Sequence, residues 1–219
     1  MRFGLMYSFL TPRDGSVTHL ETFREMDELL MLAESVGFSS FQTTEHHGQD
    51  NGWAPSPLMV LGRAAGLTHH MRLVTNILVL PLYHPLRLAE DIATLDNLCN
   101  GRFTLGVSPG YVSEEFNSYG IPLKERFERS EEILDILETI WKNEVSEFKG
   151  RYYNIPPTRV VPRPVQKQIP VWYGVSGPKL LERAAKRKCP VTASPRHTNK
   201  ELKAHYARFD AAAANIGFQ

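Results

Sequence analysis

The chain has 219 residues, of which 25 are lysine or arginine and 24 are aspartate or glutamate, so its formal net charge is +1. This balance gives no electrostatic reason to expect a nucleic acid or a membrane as partner. Hydrophobic residues make up 42% of the chain, which excludes disorder as its main state. With two cysteines and no apolar segment long enough for a signal peptide or a membrane span, we expect a cytoplasmic protein.

Short apolar segments alternate along the chain with longer segments of helical periodicity, a pattern typical of βα units that build a parallel sheet. Two Thr-x-x-Glu capping boxes, at Thr18 with Glu21 and at Thr198 with Glu201, mark the starts of the first and last helices. The predicted strands are 2–8, 38–43, 72–80, 102–107, 170–174 and 190–193. The predicted helices between the first and the last are 57–67, 85–100, 125–141 and 178–188.

A proline-rich segment interrupts this alternation after the longest helix. We interpret it as an extended insertion at about 146–169, within a single domain that covers 1–219. The pattern therefore contains six βα units, whereas a closed barrel of this kind has eight strands. The sequence predicts an α/β fold in which either the barrel is incomplete or units were missed.

The first candidate site is the triplet Glu45-His46-His47, which directly follows the second predicted strand. In a parallel barrel this position lies at the carboxyl-end face, where ligands bind. A histidine there suits general acid–base chemistry, although loop hydrogen bonds alone would also explain the triplet. Because adjacent side chains at a strand end point to opposite sides, at most one of the two histidines should face a given ligand. A metal site is a weaker interpretation, since no His-Glu-x-x-His helix is present, and we expect none.

Three further segments follow predicted strands. Asn76 is the only amide in an apolar strand, and it either bonds its barrel neighbours or presents its amide to a planar ligand. The glycines of 106–111 allow close approach of a ligand, but their spacing is not that of a dinucleotide fingerprint. Ser176-Gly177 precedes a helix, where it suits a phosphate or serves as an ordinary cap.

Together these motifs, in their order and spacing, resemble the bacterial luciferase-like flavin monooxygenases. The resemblance implies a TIM-type (β/α) barrel of the luciferase-like kind, here incomplete with about six of its eight βα units. Family members normally continue for about two further units. The motifs that carry it are Thr44-Glu45-His46-His47, Pro57, 75–81, 84–91, Leu95-Asp96, 101–103, Gly106, Gly110-Tyr111, Glu115-Phe116, Gly120, 150–153, 162–164 and 170–172.

The resemblance also implies roles for individual residues. His46 matches the family histidine beside the flavin and the reacting substrate, which makes it the catalytic candidate. Asn76-Ile77 matches a pair that packs on the flavin, often through a non-proline cis peptide. Pro109 and the segment 186–188 depart from the family pattern, which puts the phosphate contact and that strand boundary in question. The implied cofactor-binding residues are Glu45, His47, Asn76, Ile77, Tyr111, Ser176 and Gly177.

The function that this resemblance implies is a flavin-dependent monooxygenase. It would use reduced FMN, supplied by a partner flavin reductase, and dioxygen to oxidise a small organic substrate. One alternative is a deazaflavin-dependent oxidoreductase of the same superfamily, and another is a shortened non-catalytic flavin-binding protein. The apolar helices of an open barrel, together with the family's dimers, predict a homodimer.

Overall fold

Seven parallel strands form one curled sheet, in which neighbouring strands follow chain order. In the computed structural model, residues 2–175, 177–193, 197–215 and 217 are described. The strands are β1 (Gly4–Tyr7), β2 (Ser40–Thr43), β3 (Arg72–Thr75), β4 (Leu78–Val79), β5 (Phe103–Ser108), β8 (Val171–Val175) and β9 (Val191–Ala193). Their order is β1-β2-β3-β5-β8-β9, and the short β4 pairs with β5 beside this path. The sheet is an incomplete barrel of the TIM type.

Helices join these strands, and their buried apolar residues form one cluster with the residues of the sheet. The helices are α1 (His19–Ser35), α2 (Pro57–Leu67), α3 (Pro85–Leu98), α4 (Ser113–Ser118), α5 (Arg126–Lys142), α6 (Pro178–Lys186) and α7 (Asn199–Ala214). Thr18 and Thr198 each accept a hydrogen bond from the backbone N–H three residues on, so both predicted capping boxes are confirmed. The short α4 was not predicted from the sequence.

The prediction of one continuous third strand over 72–80 is wrong. β3 ends at Thr75, β4 contains two residues, and Leu80–Leu82 form a 3₁₀ turn. β3 pairs with both β2 and β5 whereas β4 pairs only with β5, so the hydrogen-bonded ladder changes at the two residues between them. The peptide bond that joins these two residues, Asn76 and Ile77, is cis.

The proline-rich excursion forms an antiparallel hairpin of β6 (Ser146–Lys149) and β7 (Asn154–Thr158), separate from the main sheet. Glu132 of α5 holds its turn, because its carboxylate accepts the backbone N–H groups of 151, 152 and 153 at 2.7–3.2 Å. A Cβ at Gly150 would lie 2.1 Å from a Glu132 oxygen, so any other residue here would displace that carboxylate. None of the described helices combines the length and the apolar character that crossing a bilayer requires.

Candidate active site

The carboxyl ends of the parallel strands meet at one edge of the sheet and surround a cavity of about 360 Å³. We call this the strand-end cavity. Residues that directly follow β2 and β3 line it, as do the ends of β5, β8 and β9. Among the described residues that line it there is no lysine or arginine. The lining comprises Met6, Ser8, Thr44, Glu45, His46, Trp53, Asn76, Ile77, Val79, Ser108, Gly110, Tyr111, Glu115, Gly174, Val175, Thr192 and Ala193.

His46 faces this cavity with its orientation set by a buried carboxylate. Its Nδ1 lies 2.8 Å from Oε1 of Glu115, whose side chain is 2% exposed. The same oxygen accepts the backbone N–H of His47 at 3.1 Å. Because an ionised carboxylate only accepts hydrogen bonds, Nδ1 of His46 carries a proton. In the neutral ring Nε2 is therefore the unprotonated nitrogen, and it has no partner among the described residues.

His47 belongs to a second hydrogen-bond network, which is centred on Glu45. Its Nε2 lies 2.8 Å from the Glu45 carboxylate, which also accepts the Tyr83 hydroxyl at 2.9 Å and the Val79 N–H at 2.6 Å. The Tyr119 hydroxyl lies 2.9 Å from the remaining ring nitrogen of His47. Burial and the Glu45 charge raise the pKa of Tyr83 far above its ordinary value, and burial followed by the same charge raises the pKa of Tyr119. Both phenols therefore stay protonated as donors at neutral pH.

The two histidines thus face different spaces, as the alternation of side chains at a strand end predicts. His47 does not line the strand-end cavity, whereas Glu45 lies between that cavity and a second one. This second cavity, which we call the helix cavity, measures about 440 Å³ and lies against α2 and α3. It is lined by Glu45, His47, Pro55, Ser56, Leu58, Met59, Gly62, Leu82, Tyr83, Arg87, Asp91, Thr94, Leu95, Leu98 and Tyr119.

Asn76 and Ile77 both line the strand-end cavity, and the cis peptide that the resemblance implies joins them. The Asn76 amide nitrogen donates to Oε1 of Gln42 at 2.7 Å, so a barrel neighbour satisfies part of this side chain. Ile77 packs against Gly174, where a Cβ would lie 1.8 Å from its Cδ1. The glycine on β8 therefore leaves room for Ile77 at the cavity wall.

The remaining predicted residues lie at the edges of the site. Tyr111 lines the cavity while 67% exposed, and its ring centroid is 6.3 Å from that of His46. Gly177 precedes α6 at its amino terminus and is not among the lining residues. Ser176 lies outside the described residues.

Two residues of the site were not singled out from the sequence. Glu115 was noted only as part of a motif, because its burial is a property of the fold. Trp53 stands with its ring centroid 4.6 Å from that of His46 and has a φ of 67°. The one sequence feature that points to Trp53 is its place in the loop that follows the Glu-His-His triplet.

The cavity has features that suit a planar polar cofactor. Oγ1 of Thr44 is buried at its wall and has no hydrogen-bond partner among the described residues, so a polar ligand atom would satisfy it. Gly110 and Gly174 let the side chains of Val79 and Ile77 pack closely at the wall. In the part of the chain that is described, no group of three or more histidine, cysteine or acidic side chains is placed to hold a metal ion.

The whole chain, residues 1–219, matches the family model of the luciferase-like monooxygenases. The oxygenase component of a flavin-dependent trigonelline monooxygenase from Acinetobacter baylyi is 30% identical over 92% of this chain and 56% of its own length. An F420-dependent glucose-6-phosphate dehydrogenase from Nakamurella multipartita is 33% identical over 70% of this chain and 47% of its own.

A solved structure shows the same fold. The oxygenating constituent of 3,6-diketocamphane monooxygenase from Pseudomonas putida, in complex with FMN, superposes with a TM-score of 0.89 at 24% identity. The comparison covers 100% of this chain and 64% of that one. The chain spans about half the length of the curated relatives it matches. It belongs to the luciferase-like monooxygenase family.

Proposed function

We propose that this chain carries the active site of a flavin-dependent monooxygenase, which uses reduced FMN and dioxygen to oxidise a small organic substrate. The observation that carries the proposal is the His46–Glu115 pair at 2.8 Å in a cavity that the cis-linked Asn76 and Ile77 also line, with Nε2 of His46 unbonded among the described residues. A relative named as an oxygenase component supports it. Reduced FMN would supply the electrons that activate dioxygen.

The lining residues have separate roles in holding the cofactor. Asn76 and Ile77 would contact its ring, and Oγ1 of Thr44 would gain the hydrogen-bond partner that it lacks. Tyr111 and the segment at Gly177 would lie toward the flavin tail and its phosphate, where the amino terminus of α6 favours an anion. Glu45 and His47 would act by fixing the loop after β2 and the backbone of Val79.

His46 would move a proton at Nε2. Glu115 holds the proton on Nδ1, so Nε2 is ready to accept a proton from a reacting group, and the carboxylate then stabilises the resulting imidazolium. Positioned general bases of this kind contribute about 10²- to 10⁴-fold to a rate. The pair therefore supplies both orientation and charge compensation.

The test compares the wild-type protein with His46→Ala and His46→Gln. Each is mixed with reduced FMN, isotopically labelled dioxygen and decanal, an uncharged alkanal, and labelled product is quantified by mass spectrometry. We expect turnover by the wild type and a loss of at least about 100-fold in both variants, with FMN affinity changed little. Full turnover by His46→Ala would remove His46 from the mechanism.

The second candidate is a deazaflavin-dependent oxidoreductase, which the similarity to the F420-dependent dehydrogenase favours. Parallel titrations with FMN and with F420 separate the two candidates. We expect FMN to bind more tightly by at least about tenfold, which corresponds to roughly 1.4 kcal/mol. The reverse order would favour hydride transfer to or from the deazaflavin.

We also infer that the protein acts in the cytoplasm with a flavin reductase as partner and forms a homodimer. The helix cavity and the exposed Met59 and Leu98, at 78% and 63% exposure, give the face of α2 and α3 apolar surface that a second copy would cover. Light scattering coupled to size exclusion should report twice the mass of 24.9 kDa. A mass of one chain at about 50 μM would contradict the dimer.

A further inference from the structure

A third cavity, of about 570 Å³, adjoins the strand-end cavity and has a different chemical character. We call it the aromatic cavity. It lies between α1, α2 and the loops that follow β1 and β2. Its walls carry three aromatic side chains together with methionine and valine. The lining residues are Phe9, His19, Thr22, Phe23, Met26, Gln49, Gly52, Trp53, Ala54, Pro55, Ser56, Met59, Val60 and Arg63.

This cavity presents apolar surface, and its arginine is paired. Phe23 lines it while 42% exposed, so a ligand there would remove apolar surface from water. Arg63 is the one lysine, arginine or acidic residue among the described lining, and Asp27 neutralises it through two contacts at 2.8 and 3.3 Å. An uncharged ligand therefore matches the apolar walls, whereas an anion would give up hydration beside an arginine that Asp27 already neutralises.

Trp53 is the wall between the two cavities, because it lines both and its ring stands 4.6 Å from that of His46. The wall is fixed by its neighbours. The Thr11 N–H donates to the Asn51 carbonyl at 2.8 Å, which ties the loop after β1 to the loop that carries Trp53. Gly52 lies against the Phe9 carbonyl so closely that a Cβ would be 2.3 Å from its oxygen.

The backbone at this wall is unusual on both sides. Phe9 has a φ of 61° and Trp53 a φ of 67°, a region that bulky side chains rarely occupy. Residues held in such conformations cost about 1–3 kcal/mol each and concentrate at ligand clamps and active sites. Two of them, one in each of these paired loops, mark this region as a candidate ligand site.

We propose that the aromatic cavity takes an uncharged aromatic or alkyl part of the substrate, and that Trp53 separates this part from the cofactor in the strand-end cavity. This inference rests on the proposed function, since it gives the substrate a class and a place. The reacting group would extend past Trp53 toward His46. Trp53 is then a specificity residue of the proposed oxidation.

The test uses two probes of matched shape, naphthalene-2-carboxamide and the anionic naphthalene-2-carboxylate, titrated calorimetrically into the purified protein with and without saturating FMN. We expect the carboxamide to bind at least about tenfold more tightly than the carboxylate. We expect its affinity to stay within about twofold when FMN is present, because the cavities are separate. Equal affinities for the two probes, or displacement of the carboxamide by FMN, would overturn the proposal.

Three variants locate the probe. Phe23→Ala, at a half-exposed position that the fold tolerates, should weaken carboxamide binding about three- to tenfold, and Val60→Phe, which fills the cavity, should weaken it further. Val145→Phe, in the loop between α5 and β6 at 51% exposure and outside the lining, is the matched control and should change nothing. The Trp53→Ala variant lacks the side chain that stands between the two cavities. In this variant, bound carboxamide should therefore weaken FMN binding by at least about threefold. Wild-type behaviour of Phe23→Ala, Val60→Phe and Trp53→Ala would contradict the proposal.

The outcomes separate this inference from the proposed function. The protein could bind the carboxamide, with an affinity that depends on Phe23 and Val60, and yet bind no FMN. This result would support the aromatic cavity as a ligand site and contradict the proposed flavin site. FMN binding without any carboxamide binding would reject the aromatic cavity alone.

Discussion

Glu114 and Glu115 are neighbours on α4 with opposite surroundings. Glu114 is exposed and contacts only its own helix, whereas Glu115 is 2% exposed and holds His46 and the His47 backbone. Removing the hydrogen-bond partner of a buried donor lowers the free energy of unfolding by about 1–3 kcal/mol. Glu115→Ala should therefore lower the free energy of unfolding by about 2 kcal/mol, while Glu114→Ala should change it by less than about 0.5 kcal/mol.

Urea unfolding followed by circular dichroism measures both variants under the same conditions. Equal losses for the two substitutions would mean that Glu115 does not hold the site together. A Glu115→Gln variant, which keeps an oxygen acceptor but not the charge, should fall between wild type and Glu115→Ala.

At the scale of single residues, the sequence predicts the local part of the site and misses the partners brought in from a distance. The alternation of side chains after β2 predicts that at most one histidine of the pair faces a given ligand, and the structure has His46 lining the strand-end cavity and His47 outside that lining. Glu115 lies 69 residues further along the chain, so its contact with His46 exists only once the sheet has formed. The position of Trp53 likewise depends on a distant segment, because the loop after β1 bonds to the loop that carries Trp53.

Helix α1 is joined to the start of β3 through Glu34, near its carboxyl end. The Glu34 carboxylate accepts the backbone N–H groups of His69, His70 and Met71 at 2.7–3.1 Å. Burial alone would raise the pKa of Glu34, but these three donors outweigh it and hold the pKa below its usual value. The interaction is therefore made by the ionised form.

Glu34→Gln should destabilise the protein at pH 7 and lose its effect in acid. Because the folded-state pKa of Glu34 is lowered, its contribution is fully present above the unfolded pKa of 4.5 and disappears as pH falls through the folded value. Thermal unfolding of wild type and variant between pH 2 and 7 measures the difference. A stability gap that stays constant down to pH 2 would show that the carboxylate charge is not what joins these elements.

At the scale of elements, the sequence predicts helices and their caps better than strand ends. The capping boxes at Thr18 and Thr198 are local arrangements of four residues, so they can be recognised without tertiary structure. The segment 72–80 is apolar throughout, which suits a buried strand, and nothing in that composition reveals the interruption after Thr75. The interruption arises where the pairing partners change, and this is a property of the sheet.

At the scale of the whole molecule, the alternation of strand and helix predicts parallel strands in chain order, and the sheet has that order. Parallel order matters for function because it gathers the ends of β2, β3, β5, β8 and β9 around one cavity. The cavities themselves could not be predicted from the sequence, since their walls combine loops that are far apart in the chain. Trp53 lines the strand-end cavity and the aromatic cavity, and Glu45 lines the strand-end cavity and the helix cavity. These two residues therefore lie where the proposed cofactor site adjoins each of the other two cavities.

The proposed function requires a flavin in the strand-end cavity that His46 lines, and a fluorescence titration with FMN tests this requirement. Ala193→Trp places an indole in the lining from β9, and Val145→Trp in the exposed loop between α5 and β6 is the matched control. We predict saturable binding of one FMN at micromolar concentrations, weakened at least about tenfold by Ala193→Trp and unchanged by Val145→Trp. A folded wild-type protein that binds no FMN, or an Ala193→Trp variant that binds FMN as tightly as the wild type, would contradict the account.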